Sequence, residues 1–288
     1  MTSDYQGKTA VVTGGASGVG RCLCERFARE GMNVIMADVE ADTLETEAAA
    51  LREMGLNVVG IRADVTDPES MDQLAERSSA EFGNVHILCN NAGVGIKEAQ
   101  RRMWTLTPND WTWGFNVNVM GIANGVRAFV PAMLAHGEPG HVVNTSSGNG
   151  GLSSLPTTPI YASTKAAVTS MTEVLHYQFL QENAALQAHL LFPGPHLVNT
   201  RILSSMRNRP TELRDDNEPA AYNSMADLAK ASGLKLQLTE PEEVAETCLQ
   251  GIRDGQFWIL PASERQDNRV NNRTQDILNR ANPQLPEE

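Results

Sequence analysis

The chain is poor in residues that would staple it or anchor it from outside. Only four of its 288 residues are cysteine. Cys22, Cys24, Cys89 and Cys248 fall within apparent helices or a strand, which excludes a disulfide scaffold and leaves reduced, partly buried thiols as the expectation. Cys22-x-Cys24 has no further clustered ligands to complete a tetrahedral site, and the six histidines form no metal motif, so no metal is expected. Positive charge is scarce as well: 23 Lys and Arg face 35 Asp and Glu, for a net charge of -12. Non-specific attraction to nucleic acid or to an anionic membrane is thereby disfavoured. No apolar run approaches the length needed to cross a bilayer, and the start lacks the basic segment, apolar core and cleavage site of a secretory signal. A cytoplasmic protein without nucleic-acid or membrane partners is expected. Aromatic residues are only 5% of the chain, so the grouping of Trp104, Trp111 and Trp113 stands out.

What the chain does contain is a regular alternation. Short apolar runs at 9–13, 34–37, 58–63, 85–89, 141–145, 186–192 and 256–260 read as strands. Between them, 19–30, 40–54, 69–82, 108–134 (one long helix or a broken pair), 161–181 and 240–252 carry helical patterns. The strands are apolar throughout, as expected for a parallel sheet covered on both faces. The reading is α/β, a single-domain Rossmann-type doubly wound parallel sheet, with a catalytic domain over 1–262. A polar stretch within it, 197–236, is long for a connection and reads as a substrate lid. Residues 263–288 form a C-terminal extension with a short helix at 274–280.

The first candidate site lies between the first strand and first helix. Thr13-Gly14-Gly15-Ala16-Ser17-Gly18-Val19-Gly20 permits a sharp turn and a close approach of backbone to a pyrophosphate, which the positive end of the following helix attracts. Asp38 ends the second strand. A carboxylate there accepts hydrogen bonds from a ribose 2'-hydroxyl and repels the extra phosphate of NADP, so NAD is the expected cofactor. The second candidate site is Tyr161 and Lys165, four residues apart and so on one helix face. A neighbouring ammonium favours the phenolate and makes a tyrosine usable as a base. Ser146 and Ser147 follow the strand at 141–145 and could orient a reacting oxygen.

Taken together, these motifs resemble the short-chain dehydrogenase/reductase family. Thr13, Gly14, Gly18 and Gly20 match each fixed place of its Thr-Gly-x-x-x-Gly-x-Gly motif, and Asn90-Asn91-Ala92-Gly93 matches its fourth-strand motif. The resemblance spans roughly 7–260. It implies that Ser17, Val19, Asn91, Ala92 and Gly93 border the cofactor with the glycines, and that Asp64 and Val65 sit at the adenine. It also implies a catalytic set of Asn118, Ser147, Tyr161 and Lys165. Ser147 would hold the substrate oxygen, Tyr161 would move the proton, Lys165 would lower the tyrosine's proton affinity and bind ribose, and Asn118 would support a water relay. Ser146 is the alternative to Ser147 because the interval to Tyr161 is long. Asn116 is the weaker alternative to Asn118, lacking the Val-x-Gly that follows it. Pro193, Gly194 and Thr200 would meet the nicotinamide, although Thr200 lies farther from Pro193-Gly194 than the pattern expects. The implied activity is interconversion of a secondary alcohol and a ketone by a homodimer or homotetramer.

Two stretches should shape the substrate pocket: 94–113, with Met103 and three tryptophans, and 197–236, with Met206, Tyr222 and Met225. His196 could touch substrate or be structural. The lining suits a hydrophobic or aromatic substrate. The run 191–209 and the tail resemble the aryl-carbinol branch that includes lignin C-alpha dehydrogenases, which implies a bulky benzylic alcohol such as a beta-aryl ether. A reductase or dehydrogenase of a steroid or other hydrophobic ketone or alcohol, and a dinucleotide sensor without catalysis, are the other readings.

Overall fold

A computed structural model describes residues 5–99, 101–214, 222, 224–232 and 237–286. Strands β1 (Thr9–Thr13), β2 (Asn33–Asp38), β3 (Val58–Arg62), β4 (Val85–Asn90), β5 (Gly140–Thr145), β6 (Leu186–Leu191) and β9 (Trp258–Ile259) form one seven-stranded sheet. A two-residue pair, β7 (Leu197–Val198) and β8 (Leu238–Thr239), stands apart from it. The order in the large sheet is β3-β2-β1-β4-β5-β6-β9, and every pairing is parallel. The connections therefore reverse direction between β1 and β4, and the ends of both strands open on a crevice there.

The helices are α1 (Gly18–Arg29), α2 (Ala41–Glu53), α3 (Pro68–Phe82), α4 (Pro108–Phe115), α5 (Gly121–His136), α6 (Pro159–Gln181), α7 (Met225–Ser232), α8 (Pro241–Arg253) and α9 (Glu264–Asn279). Successive strand residues supply opposite faces. Ala10, Val12, Val34 and Met36 pack with Leu23 and Phe27 of α1 and Leu249 of α8. Val11, Ile35 and Ala37 pack the other way, with Phe129 of α5 and Leu175 of α6. Each such buried Val, Ile, Leu, Met or Phe side chain contributes roughly 1.5–3 kcal/mol of hydrophobic stabilisation. This two-sided demand is why the strands carry no polar alternation.

Two details refine the sequence reading. The helical run over 108–136 is one continuous long helix, but not a regular one. A wider π-helical turn at Asn116–Met120 joins α4 to α5, a local bulge of the kind found at functional sites. The run is long and apolar enough to cross a membrane by length and composition, but half of its most apolar window is buried within the protein. The C-terminal helix starts at Glu264, ten residues before the expected 274, because the Ser263 side chain accepts from the Gln266 amide and caps it. No residue of this helix is buried, and its first six residues are all polar, so no apolar run marks its start.

All four cysteines are free and buried. Among the described residues, no group of His, Cys, Asp and Glu could hold a metal ion.

Candidate active site

At the crevice, the Gly14–Gly20 turn is shaped by contacts that leave no room for side chains. Gly14 has φ +65°, and a Cβ there would lie 2.8 Å from the Ala92 Cα. At Gly20 it would lie 2.1 Å from the Gly14 carbonyl oxygen. Thr13 ties the turn to the β4 end. Its hydroxyl oxygen accepts from the Asn91 and Ala92 amides (3.0 and 3.1 Å), while Asn91 Nδ2 donates to the Thr13 carbonyl (3.1 Å). The first-turn amides of α1, including Gly18, Val19 and Gly20, have no intrahelical acceptor and face the crevice side with the positive helix end. Val19 itself turns its side chain into the core.

A cleft runs along these strand ends, lined by Thr13, Gly14, Ser17, Asp38, Asp64, Val65, Ala92 and Gly93. Asp38 is aimed into it by two backbone donors: Ala16 N to Oδ2 and Glu40 N to Oδ1, both 3.0 Å. Asp64 is held likewise, accepting from Thr66 N (2.9 Å) and Thr66 Oγ1 (2.8 Å). The glycine cradle, the helix end and the oriented carboxylate fit the pyrophosphate and ribose of a dinucleotide.

Beyond Gly93 lies the second cluster. Tyr161 and Lys165 share the first turns of α6, with Lys165 Nζ 5.6 Å from the Tyr161 ring centroid. Nζ donates to the Thr145 carbonyl at 2.8 Å. Burial lowers the lysine's pKa to about 8. Burial raises that of Tyr161, and a hydrogen bond from Ser147 opposes the rise. The serine alternatives thus separate by geometry. Ser147 meets the tyrosine, whereas the Ser146 hydroxyl is buried against the Lys165 carbonyl (3.1 Å) and Thr169 Oγ1 (3.0 Å).

The asparagines separate too. Asn118 is fully buried in the π-helical turn, where Oδ1 accepts from Val94 N (2.8 Å) and Nδ2 donates to Val94 O and Thr164 Oγ1 (both 3.1 Å). Its side-chain amide holds the strand-end loop to α6, and a Cβ on Gly93 would come within 3.4 Å of its Oδ1 and 3.7 Å of Lys165 Nζ. Asn116 instead lines the cleft, near the adenine-side residues.

After β6, Pro193 is half-buried and Gly194 takes φ +65° against Thr239. The chain then pairs β7 with β8 and swings Thr200 back onto the glycine turn: a Cβ on Gly18 would lie 3.0 Å from Thr200 Cγ2. The detour through β7 accounts for its distance in sequence from Pro193. His196 is exposed.

Helical turns at Ile202–Asn208 and Thr211–Leu213 follow, and Arg207, Asn208, Pro210 and Leu213 reach the cleft wall. Arg207 and Asn208 bind Glu40 beside Asp38 (2.8 and 2.7 Å). Much of the expected lid, 215–221, 223 and 233–236, lies outside the described residues. Within it, Met225 is buried and Tyr222 half-buried.

The expected tryptophan lining holds for Trp113, which lines the cleft, but not for Trp104. Trp113 is buried with Val94, Ile96 and Ile160, and Trp111 and Met206 pack against them. Trp104, at 82% exposure, and Met103, at 54%, point to solvent. Three buried charged residues, Glu98, Asp110 and Arg209, went unnoticed in the sequence. Glu98 is fully buried, and its two oxygens accept from the Ile160 and Tyr161 amides (2.7 and 2.8 Å). Burial raises its pKa to about 7. Asp110 accepts from buried Arg209 (2.8 Å) and pairs with Arg101 (2.9 Å). Burial opposes ionisation of Asp110, but the Thr107 amide and the two guanidiniums hold its pKa below the ordinary value. Their only local signal is charge within otherwise apolar surroundings.

Comparison with known proteins accords with this geometry. A solved short-chain dehydrogenase/reductase from Burkholderia phymatum, in complex with NAD, is 36% identical, with a TM-score of 0.90 over 99% of each chain. The C alpha-dehydrogenase of Sphingobium sp. strain SYK-6 is 32% identical over 91% of this chain and 82% of its own. The apo structure of LigD from the same strain is 28% identical, with a TM-score of 0.75 over 98% of this chain and all of that one. The short chain dehydrogenase family model matches residues 8–210, and with the crevice, the glycine turn and the Tyr161–Lys165 pair it assigns this chain to the short-chain dehydrogenase/reductase family.

Proposed function

We propose that the chain interconverts a bulky benzylic secondary alcohol and its ketone, with Ser147, Tyr161 and Lys165 as catalytic residues. The broader activity, NAD-dependent alcohol–ketone interconversion, follows from the family. The observation that carries the site assignment is the grouping of Tyr161 with buried Lys165, whose Nζ lies 5.6 Å from the tyrosine ring, and with Ser147, which opposes the rise in the tyrosine's pKa. NAD would be held by the Gly14–Gly20 turn, by Asp38 at the adenosine ribose, by Asp64 and Val65 at the adenine, and by Asn91–Gly93 and Thr200 farther along the cleft. When bound, it supplies the hydride acceptor for oxidation and, reduced, the donor for ketone reduction.

The chain's own residues manage the proton and the substrate oxygen. Ser147 donates a hydrogen bond to that oxygen and orients it towards Tyr161. Tyr161 takes the hydroxyl proton in oxidation and returns it in reduction. Burial makes its phenolate costly and Ser147 opposes that cost; an ammonium on the neighbouring Lys165 would favour the phenolate further. Thr145 fixes the ammonium, and Asn118 fixes the turn facing it. The described turns at Ile202–Asn208 and Thr211–Leu213 reach the cleft wall, where they would help to exclude water.

Support for the benzylic class comes from the Sphingobium relatives and from the apolar wall of Val94, Ile96, Trp113 and Met206. Association into a homo-oligomer is supported by Val174, Tyr177 and Leu180, exposed on α6. The decisive experiment follows NADH formation across benzylic beta-aryl ethers, simple aryl carbinols, steroids and aliphatic carbinols. Benzylic ethers should be preferred, and Tyr161→Phe should remove about 1,000-fold or more of the rate. Turnover confined to another class would overturn the benzylic reading, and full activity of Tyr161→Phe would overturn the catalytic one.

A further inference from the structure

Helix α6 begins with an unmet requirement. Pro159 is its first residue, so Ile160 and Tyr161 present amides with no intrahelical acceptor, and the preceding Thr158 supplies no side-chain cap. Both amides are instead met by the two oxygens of Glu98, 62 and 63 residues earlier in the chain (2.7 and 2.8 Å). The carboxylate is fully buried, against the positive end of the helix that carries Tyr161. A cap alone needs no buried charge, since serine or threonine at the helix start does the same work locally. Placing a carboxylate here carries a desolvation cost. It also fixes the tyrosine's own backbone from the 94–98 segment, whose Val94 and Ile96 line the apolar wall.

We propose that Glu98 is a positioning residue: its buried carboxylate holds the first turn of α6 and couples the placement and charge of Tyr161 to the substrate-side segment. This rests on the catalytic role proposed for Tyr161. Three charged groups surround the coupling. Asp110 on α4 opposes the ionised form of Glu98, Arg101 favours it, and Arg209 is taken up by Asp110. Toward Tyr161, the negative charge of Glu98 disfavours the phenolate. The same carboxylate therefore orients the base and restrains its ionisation in the absence of ligand. That would keep the phenol protonated until the positive nicotinamide of the oxidised cofactor arrives.

The test uses Glu98→Gln, Glu98→Asp and Tyr161→Phe in the full chain. Tyrosinate formation is followed by ultraviolet difference titration, with Tyr161→Phe identifying the Tyr161 transition without any substrate. In Glu98→Gln that transition should move to lower pH, because the restraining charge is gone. Its kcat should fall about tenfold while NAD affinity holds, because an amide offers one acceptor for two donors. Glu98→Asp keeps the charge on a shorter stem, so its transition should stay near that of the native protein while kcat falls. If Glu98→Gln folds poorly, the Asp variant and its kcat-against-NAD-affinity split carry the test. A Tyr161 transition unmoved in Glu98→Gln, or a loss seen equally in NAD affinity and kcat, would make Glu98 merely structural. Failure of Tyr161→Phe to lose activity would instead strike the catalytic reading and would leave the titration result standing.

Discussion

The two sides of the crevice are built in different ways. On the adenosine side, from β1 to β4, the groups that shape the cleft are mostly backbone: Ala16 and Glu40 amides on Asp38, Asn91 and Ala92 amides on Thr13, and glycines packed against carbonyls and Cα atoms. On the substrate side, distant charged side chains do the holding. Arg209 reaches Asp110 across 99 positions, Arg207 reaches Glu40 across 167, and Glu98 reaches Ile160 across 62. A backbone contact dictates residue type, because only glycine fits where a Cβ would strike a carbonyl. A long-range ion pair dictates only that two opposite charges meet, and many sequences can satisfy that. The adenosine side is thus tightly constrained in residue type by its own backbone, whereas the substrate-side contacts leave residue type more open.

If this contrast holds, the largest effect should come from adding a side chain to the cradle. Gly20→Val would force a Cβ to within 2.1 Å of the Gly14 oxygen and 2.6 Å of Asn91 Nδ2. NAD affinity should fall by about 100-fold or more, roughly 2.7 kcal/mol. Isothermal titration would show it, and unchanged affinity would break the comparison.

Arg209→Met tests the opposite side. It strands half of the buried Asp110 pairing, although Arg101 remains, so denaturant unfolding should lose about 3 kcal/mol. Wherever the protein is still folded, NAD affinity should change by less than about twofold. An equal loss of cofactor binding would mean that the two sides are one unit.

Acid should separate the halves by a smaller step. His141 on β5 and His189 on β6 bond to each other (3.0 Å), and both belong to the second half of the sheet. Burial lowers their pKa values to about 3 and about 4. Between those values and the unfolded value near 6.5, the unfolded chain binds more protons than the native one. Their contribution is therefore intact above about pH 6.5 and is lost as pH falls below it, by up to about 1.4 kcal/mol per pH unit for each imidazole. Hydrogen exchange at pH 5 should quicken in β5 and β6 before β1 and β2. Replacing His141 by Gln should flatten that response.

The smallest effect is expected where the two sides touch. Glu40 accepts from Arg207 and Asn208 at the cleft mouth. Burial opposes its ionisation, but those donors and Arg201 hold its pKa below the ordinary value. This partly exposed contact is worth no more than about 1 kcal/mol. Glu40→Gln should speed NADH release by about two- to fourfold in stopped-flow displacement. No change would remove Glu40 from the account of cofactor release.

The legibility of the molecule divides along the same line. The apolar runs of β1 to β6, the glycine turn, Asp38 and the Tyr161–Lys165 spacing could be read directly, because each answers to a local demand: burial on both faces, a turn without room for Cβ, or one helix face. Thr200 could be named but not placed, since the β7–β8 pairing that swings it onto Gly18 joins segments some 40 residues apart. The start of α9 escaped because its first six residues, Glu264–Arg269, are all polar and none of its residues is buried.

By itself, then, the sequence determined the fold class, the cofactor cradle and the pair of residues offered to the chemistry, since local sterics and periodicity leave few alternatives for them. Only the tertiary structure buried the Ser146 hydroxyl against Lys165 and Thr169, put Trp104 in solvent and Trp113 against Val94, Ile96 and Ile160, and brought Glu98 to the Tyr161 amide. Those outcomes depend on which distant segments meet, and a charge or an aromatic ring reads the same in sequence whether it faces water, a core or a helix end.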